Sequence, residues 1–562
     1  MKPINLNNFE PKKNHFLKFY FFLFGLILLL RVMFAYSQRV NNDEPQHLHV
    51  VWAWANGLLQ YRDLFDNHAP LFHMIFSPIY TIFGENPDIL IMMRLTEIPL
   101  FFLALWAIYL IGKSLYSSQA GIWAAIITGL SARFFLVSLE FRADDLWMLL
   151  WLMAVAVLVH KPLKISRIFV VGLLLGAALS TSMKTTLLLT ALGLSTLGAH
   201  LLVRTPAQTS FKTGLSNGFA LLAGLVFIPA VLILFFDSKG ALGSMYYSII
   251  QHNVVPGMGQ ERRVGIILLI MLLTTGGIYL IRQSSADANL IQRRLVIFLT
   301  YGLSMLGLYS FWPLITGQDF LPLTPLLIIS ATGIFIENSA VKQKFAKSSA
   351  YRWATVIPMM TITLELGYLV VDDNLWRDRT LKESHLLAEV LQLTRPDETI
   401  MDLKGETIFR KRGFFYVFEG VTRKRIELGL INDTIPEDII REKTYVAVSD
   451  SGCFPPRGRE FLNLNFLPVG DLRVAGKLLP AVSKAAGNDI TFDISIPASY
   501  VVASDHATVS GWLDGTIYTG ARQLTTGSHT FRSSMPEGSQ LAIVWAPAIE
   551  RGFSPFKVHH SS

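Results

Sequence analysis

"FLKFYFFLFGLILLLRVMFAYSQRVNNDEPQH" covers residues 16–47. Its first part is an apolar run of about 20 residues, the length that crosses the hydrocarbon core of a bilayer. The run then turns polar, with Asp43 and Glu44 side by side just beyond it. No small-residue cleavage site intervenes, so this reads as an uncleaved first span and not as a signal peptide. The junction sets the reading of the whole chain: a membrane helix that delivers carboxylates to a water-facing loop.

Composition agrees. Of 562 residues, 51% are hydrophobic and only 16% charged, whereas a soluble chain carries roughly a quarter of its residues as charges. The net charge of +8 does not point to nucleic acid, because the positive residues cluster in short loops between apolar runs. There they set orientation in the membrane. Cys453 is the single cysteine, which rules out an intrachain disulfide and a thiolate metal cluster.

Further apolar runs recur at about 89–112, 120–137, 144–160, 166–181, 185–204, 216–236, 264–281, 294–313, 319–337 and 352–371. With the first, they predict about eleven membrane helices. "LFHMIFSPIYTIFG" (71–84) is shorter and interrupted by Pro78, so an interfacial helix fits it better. Putting Lys12, Lys13 and Lys18 in the cytoplasm makes nearly every cytoplasmic loop basic and gathers the acids on the opposite face, as the positive-inside bias requires. An odd number of spans then sends everything after residue 372 outside.

Three units are expected. Residues 1–372 form the membrane domain, with a first outer loop at 37–88. Residues 373–480 form a soluble α/β module, with a helix at "LKESHLLAEVLQLT" and strands at "ETIMDL", "FFYVF" and "TYVAVSD". Residues 481–562 form an antiparallel β module, with strands at "ITFDISI", "ATVSGWL" and "QLAIVWA" between turn signals.

The polar residues of the outer face are the candidate site. Asp43-Glu44 could cap the helix that Pro45 starts, and a capped helix start is also a rigid place to hold a general base or metal ligand. "DLFDNHAPLFH" (63–73) adds Asp66, His68 and His73, without a recognisable zinc spacing. "EFRADD" (140–145) sets Glu140, Arg142, Asp144 and Asp145 at the entry of a span. Lys184 interrupts apolar sequence near the outer surface, where an unpaired cation is costly; an anionic lipid headgroup or Asp144 could each pair with it. Gln318 and Asp319 precede a proline-interrupted span. There, irregular backbone is tolerated where it lines a cavity.

In this order and topology these residues resemble the GT-C glycosyltransferases: the protein O-mannosyltransferases, the lipid A aminoarabinose transferase and the lipopolysaccharide-core sugar transferases. The resemblance rests on Asp43-Glu44, "DNHAPL" (66–71), "RAD" (142–144) and Lys184, and covers residues 15–370. "QDFLPLTP" departs from the family's Arg/Gln-Tyr-x-Leu-Pro-x-x-Pro segment, with Asp319-Phe320 where a basic or polar residue and tyrosine are commoner.

The resemblance implies a transferase for hexosyl or pentosyl groups, with a polyprenyl-phosphate sugar as donor and a protein, lipid or glycan hydroxyl as acceptor. Asp43 would be the base, with inversion at the sugar. Glu44 would act beside it, and Asp66 and His68 would orient the acceptor, hold a metal or contact the phosphate. Arg142 and Lys184 would bind the donor phosphate, supported by Asp144 and Gln318. The resemblance implies no particular cofactor and leaves a divalent metal open; a metal, if used, would fall to Asp43, Glu44 and Asp66. The expected location is a bacterial inner membrane, N-terminus cytoplasmic and C-terminal domain periplasmic or extracellular. A transporter or lipid flippase, and an inactive membrane scaffold, are the competing classes. A transporter would hold its polar groups near the bilayer midplane, often within internal repeats, and neither feature is seen here.

Overall fold

Over its described residues each apolar run is largely helical in the structure, a computed structural model. It describes residues 10–556 apart from 161–163, 204–210, 256–262, 283–286, 313, 346–349, 373–377, 450–451, 483–488 and 506–507. The first run is α1 (Glu10–Ser37). The outer loop that follows holds α2 (Asp43–Ala55) and α3 (Leu71–Phe83). The second run divides into α4 (Ile89–Thr96) and α5 (Ile98–Leu115), the third into α6 (Ser118–Leu130) and α7 (Ala132–Val137). Then come α8 (Ala143–Val159), α9 (Ile165–Thr181), α10 (Thr185–Leu202) and α11 (Phe211–Ser238).

A short α12 (Leu242–Tyr246) continues into a π-helical turn at Tyr247–Gln251. The bundle closes with α13 (Arg263–Ile281), α14 (Ala288–Phe311), α15 (Thr324–Phe345) and α16 (Ala350–Asp372). Among the described residues, six helical segments are long and apolar enough to cross a membrane, and five more apolar helices are shorter. The chain is an integral membrane protein.

Close backbone approach sets the packing of α9 on α11. A Cβ added at Gly172 would lie 2.3 Å from the carbonyl oxygen of Leu221, and one at Gly224 2.3 Å from that of Phe169. Gly176, one turn along from Gly172, has the same constraint, 2.5 Å from the Leu225 oxygen. Small residues four apart let helices meet where lipid offers no hydrophobic drive for association.

The C-terminal region departs from the expected division at residue 480. Strands β1 (Ile400–Met401), β2 (Val446–Val448), β3 (Phe466–Pro468) and β4 (Leu472–Leu478) lie before it. After it come β5 (Asp489–Ile494), β6 (Ala498–Ser504), β7 (Gly511–Leu513), β8 (Thr516–Ile517), β9 (Arg522–Leu524), β10 (Gly527–Ser533) and β11 (Leu541–Trp545). One sheet runs β1-β2-β4-β11-β6-β9, with β3 on β4. The β4–β11 pairing therefore crosses the boundary, and one hydrophobic core reaches from Val390 to Phe553. The remaining strands form a second sheet, β5-β10-β7-β8.

"FFYVF" (414–418) is not a strand among the described residues. Phe414 and Phe418 stack face to face at 5.3 Å and are buried. The Arg412 guanidinium takes the carbonyl of Tyr416 at 2.6 Å and those of Asp402 and Leu403 at 2.8 and 3.1 Å, so part of this backbone is satisfied without a neighbouring strand.

The C-terminal domain sits on the face that carries the acidic loop. Leu387, Ile408 and Phe409 share a core with Leu48, Val51 and Trp52 of α2, and Arg410 pairs with Glu85 at 3.0 Å.

The glycine seam gives a matched test. Gly172→Ala should lower the melting temperature of the detergent-solubilised protein, as overpacking costs about 1–3 kcal/mol. Gly193→Ala, on α10 with open space around its Cβ, should leave it unchanged or raise it, since alanine is the better helix former by up to about 1 kcal/mol.

Candidate active site

Glu44 and Arg94 organise the outer face. The Arg94 guanidinium grips both Glu44 oxygens at 2.7 and 2.6 Å, and both side chains are buried. Arg94 also donates to the carbonyls of Ala35 and Gln38, at 3.2 and 2.9 Å. Glu44 accepts from the Asn41 and Phe141 amides at 2.8 and 2.9 Å. The end of α1, the start of α2, the helix α4 and the segment before α8 are thereby tied together. Glu44 is turned away from the cavity, engaged in this knot.

The neighbours of the knotted residues meet on its outer side. Asp43 immediately precedes Glu44 and Arg142 immediately follows Phe141, and the Arg142 guanidinium lies 2.5 Å from the Asp43 carboxylate. Lys404, from the C-terminal domain, pairs with the other Asp43 oxygen. Burial by itself would raise the Asp43 carboxyl, but Arg142 and Lys404 outweigh it and hold it well below the usual carboxylate range.

Arg142 also reaches Asp144 at 3.2 Å and Glu140 at 3.6 Å. Lys184 stands between Asp319 at 2.6 Å and Asp144 at 3.4 Å. Asp319 is oriented for this contact by a capping box with Thr316, whose amide donates to it at 2.7 Å. The residue that departs from the family segment is therefore the partner of the site's lysine. Gln318 donates to Glu140 at 2.6 Å. Burial pushes the Glu140 carboxyl up to about 7, against the opposing charge of Arg142 and with added repulsion from Glu44.

Asp66 is fully buried, accepting from Gln60 at 2.6 Å and Gln46 at 3.2 Å and pairing with His68 at 2.8 Å. Behind it, His47 and His73 share a hydrogen bond of 2.9 Å inside the protein. Among the described residues no group of three or more His, Cys, Asp or Glu side chains is arranged to hold a metal ion. Asp43, Glu44 and Asp66, the residues to which a metal, if used, would fall, each face separate partners.

A cavity of about 820 Å³ opens onto this cluster. Asp43, His68, Arg142, Asp144 and Lys184 line it; Asp66 stands behind His68, and Gln318 behind Glu140. From the charged end the cavity continues along Leu187, Ala191 and Leu194 of α10 and Leu306, Gly307 and Phe311 of α14. Leu194 and Phe311 are exposed on the helix surfaces, 54% and 84%, as residues facing lipid are. Charge lies at one end and an apolar slot at the other. Lys404 and Arg94 were not singled out from sequence: each is a single basic residue whose partner lies far along the chain.

The family model for dolichyl-phosphate-mannose-protein mannosyltransferase matches residues 67–233. None of the curated proteins matches the sequence. Among solved structures, the chain is similar to ArnT from Cupriavidus metallidurans in the apo state, with TM-score 0.55 and 11% identity over 82% of this chain and 98% of that one. The same ArnT bound to undecaprenyl phosphate gives TM-score 0.54, with the same identity and coverage. An oligosaccharyltransferase from Archaeoglobus fulgidus gives TM-score 0.47 at 10% identity, over 76% of this chain and 69% of that one. The chain has the fold of ArnT.

Glu140 offers a measurement independent of any substrate. In an infrared titration of the full-length protein in nanodiscs, the protonated-carboxyl band that Glu140→Gln removes should be present at low pH and lost with a midpoint near 7. Loss near the ordinary glutamate value of about 4.3 would mean that burial does not govern this side chain.

Proposed function

We propose that this chain is a membrane glycosyltransferase of the GT-C type that moves a sugar from a polyprenyl-phosphate donor to an acceptor hydroxyl, with Asp43 as the base. The observation that carries the reading is the two-ended cavity. A polyprenyl-phosphate sugar has the same two ends, an anionic head and a long apolar chain. The head suits Arg142 and Lys184; the chain suits the slot between α10 and α14, which lets it stay in lipid. The family match and the ArnT fold support the same class of reaction.

The chemistry asks for few groups. The bond from the anomeric carbon to the phosphate oxygen breaks and a bond to the acceptor oxygen forms. The departing phosphate is already a stable anion, so no general acid is required. Arg142 and Lys184 would stabilise the charge that develops on it. The acceptor hydroxyl gives its proton to the Asp43 carboxylate, which is ionised and faces the cavity. Attack from the face opposite the phosphate inverts the configuration. Glu44 serves this arrangement by fixing the start of α2, and Asp66 by orienting His68 toward the acceptor side. The positive-inside bias favours a cytoplasmic N-terminus, which sets the cavity and the C-terminal domain on the periplasmic or extracellular face.

Wild type and Asp43→Asn, at equal protein level in membranes, should be given radiolabelled polyprenyl-phosphate mannose and then other prenyl-linked sugars. Label should leave the carrier with wild type and do so at least 100-fold more slowly with the variant, the usual scale for loss of a general base, ~10²–10⁴. The labelled product identifies the acceptor. Equal rates would remove Asp43 from the mechanism.

A further inference from the structure

We propose that the C-terminal domain completes the donor site: Lys404 is a third cation for the prenyl-linked phosphate, and on taking the phosphate it releases Asp43 to act as base. The inference rests on the donor reading above.

Lys404 is a placed residue. Its loop is wound around Asp402, which accepts from the Gly405 and Thr407 amides, both at 3.2 Å, and from the Arg412 guanidinium at 2.5 Å. The amides of Leu403 and Lys404 donate to Glu406 at 3.1 and 2.7 Å. Gly405, at φ +92°, brings the loop so close to α2 that a Cβ there would meet the His49 Cβ at 3.0 Å. The His49 ring is hydrogen-bonded to the Ile408 carbonyl at 2.8 Å. A loop held this firmly against α2 aims the Lys404 ammonium at Asp43, where it lines the cavity and is 15% exposed. Glu419, Gly420 and Val421 also line the cavity, and Glu419 is tied to His252 of the membrane domain at 3.1 Å. The C-terminal domain is thus fastened to the membrane domain at two places along the cavity wall.

Charge gives the second argument. The cavity is lined by the cations Arg142, Lys184 and Lys404 and by the carboxylates Asp43, Asp144 and Glu419. Asp319 stands behind Lys184 and Glu140 behind Arg142. Among the lining residues Lys404 brings the cations level with the carboxylates, three against three; without it two would face three, and an arriving phosphate would meet a more negative wall. In the empty site Arg142 and Lys404 take one Asp43 oxygen each, which keeps that carboxylate a poor proton acceptor. A phosphate between the two cations competes for both, and Asp43 regains proton affinity at the moment a donor is bound. Donor binding and base activation are then one event.

The rival is a latch, in which Lys404 only ties the C-terminal domain to Asp43. Binding of undecaprenyl phosphate to the full-length protein in nanodiscs separates the two. Lys404→Gln should weaken binding at least ten-fold and Lys404→Arg should restore most of it. Lys411→Ala, an exposed neighbour in the same loop, should change nothing. The decisive arm is the Asp43→Asn background, where the ion pair no longer exists: Lys404→Gln should still weaken binding there. No further loss in that background, or unchanged affinity in a folded Lys404→Gln protein, overturns the proposal and leaves the donor reading standing. Absence of binding by wild type overturns both. Should Lys404→Gln not fold, Lys404→Met in the Asp43→Asn background, whose ion pair is already gone, is read in the same way.

Discussion

The buried pair of Glu44 and Arg94 is the constraint on which the outer face depends. It joins the junction of α1 and α2 to α4 and to the segment before α8, and its ends are occupied by carbonyls and amides of those segments. Breaking one partner of such a pair costs about 3–5 kcal/mol, because the other charge is left buried alone. What it secures is geometry. Asp43 and Arg142 are the immediate chain neighbours of Glu44 and Phe141, so the knot that holds the latter two delivers the former two to within ion-pair distance. Glu44 of the Asp-Glu pair is the brace; Asp43, held by Arg142 and Lys404, faces the cavity.

From that brace outward, the site is a balance of charges kept at the edge of an apolar slot. Two of the three cations lining the cavity are shared: Arg142 among Asp43, Asp144 and Glu140, and Lys184 between Asp144 and Asp319. Pairing of this kind makes charges tolerable near a membrane and leaves them able to exchange partners when an anionic headgroup arrives. The packing of α10 on α14 contributes the slot, and Lys404 and Glu419 of the C-terminal domain line the same cavity.

Much of this was legible in the sequence, for physical reasons. A bilayer demands about 20 apolar residues per span, so the helices announce themselves. In a chain so poor in charge, Asp43, Arg142, Asp144 and Lys184 stand out against their surroundings. Other features were hidden because their partners are remote. Lys404 is 361 residues from Asp43, and nothing local marks it. The single C-terminal sheet depends on β4 pairing with β11, which no local pattern reveals, so a boundary at 480 seemed natural. "FFYVF" has strand composition, yet aromatic stacking and the reach of Arg412 decide its conformation. Glu44 was visible but its partner Arg94 was not, which is why its bracing role emerged only from the fold.

The measurement that tests the central claim most directly is a cryo-electron microscopy structure of the protein in nanodiscs with undecaprenyl phosphate. The account predicts phosphate density within hydrogen-bond reach of Arg142 and Lys184, with the prenyl chain lying between α10 and α14. A lipid bound elsewhere, with Arg142 and Lys184 still wholly engaged by their carboxylates, would contradict it.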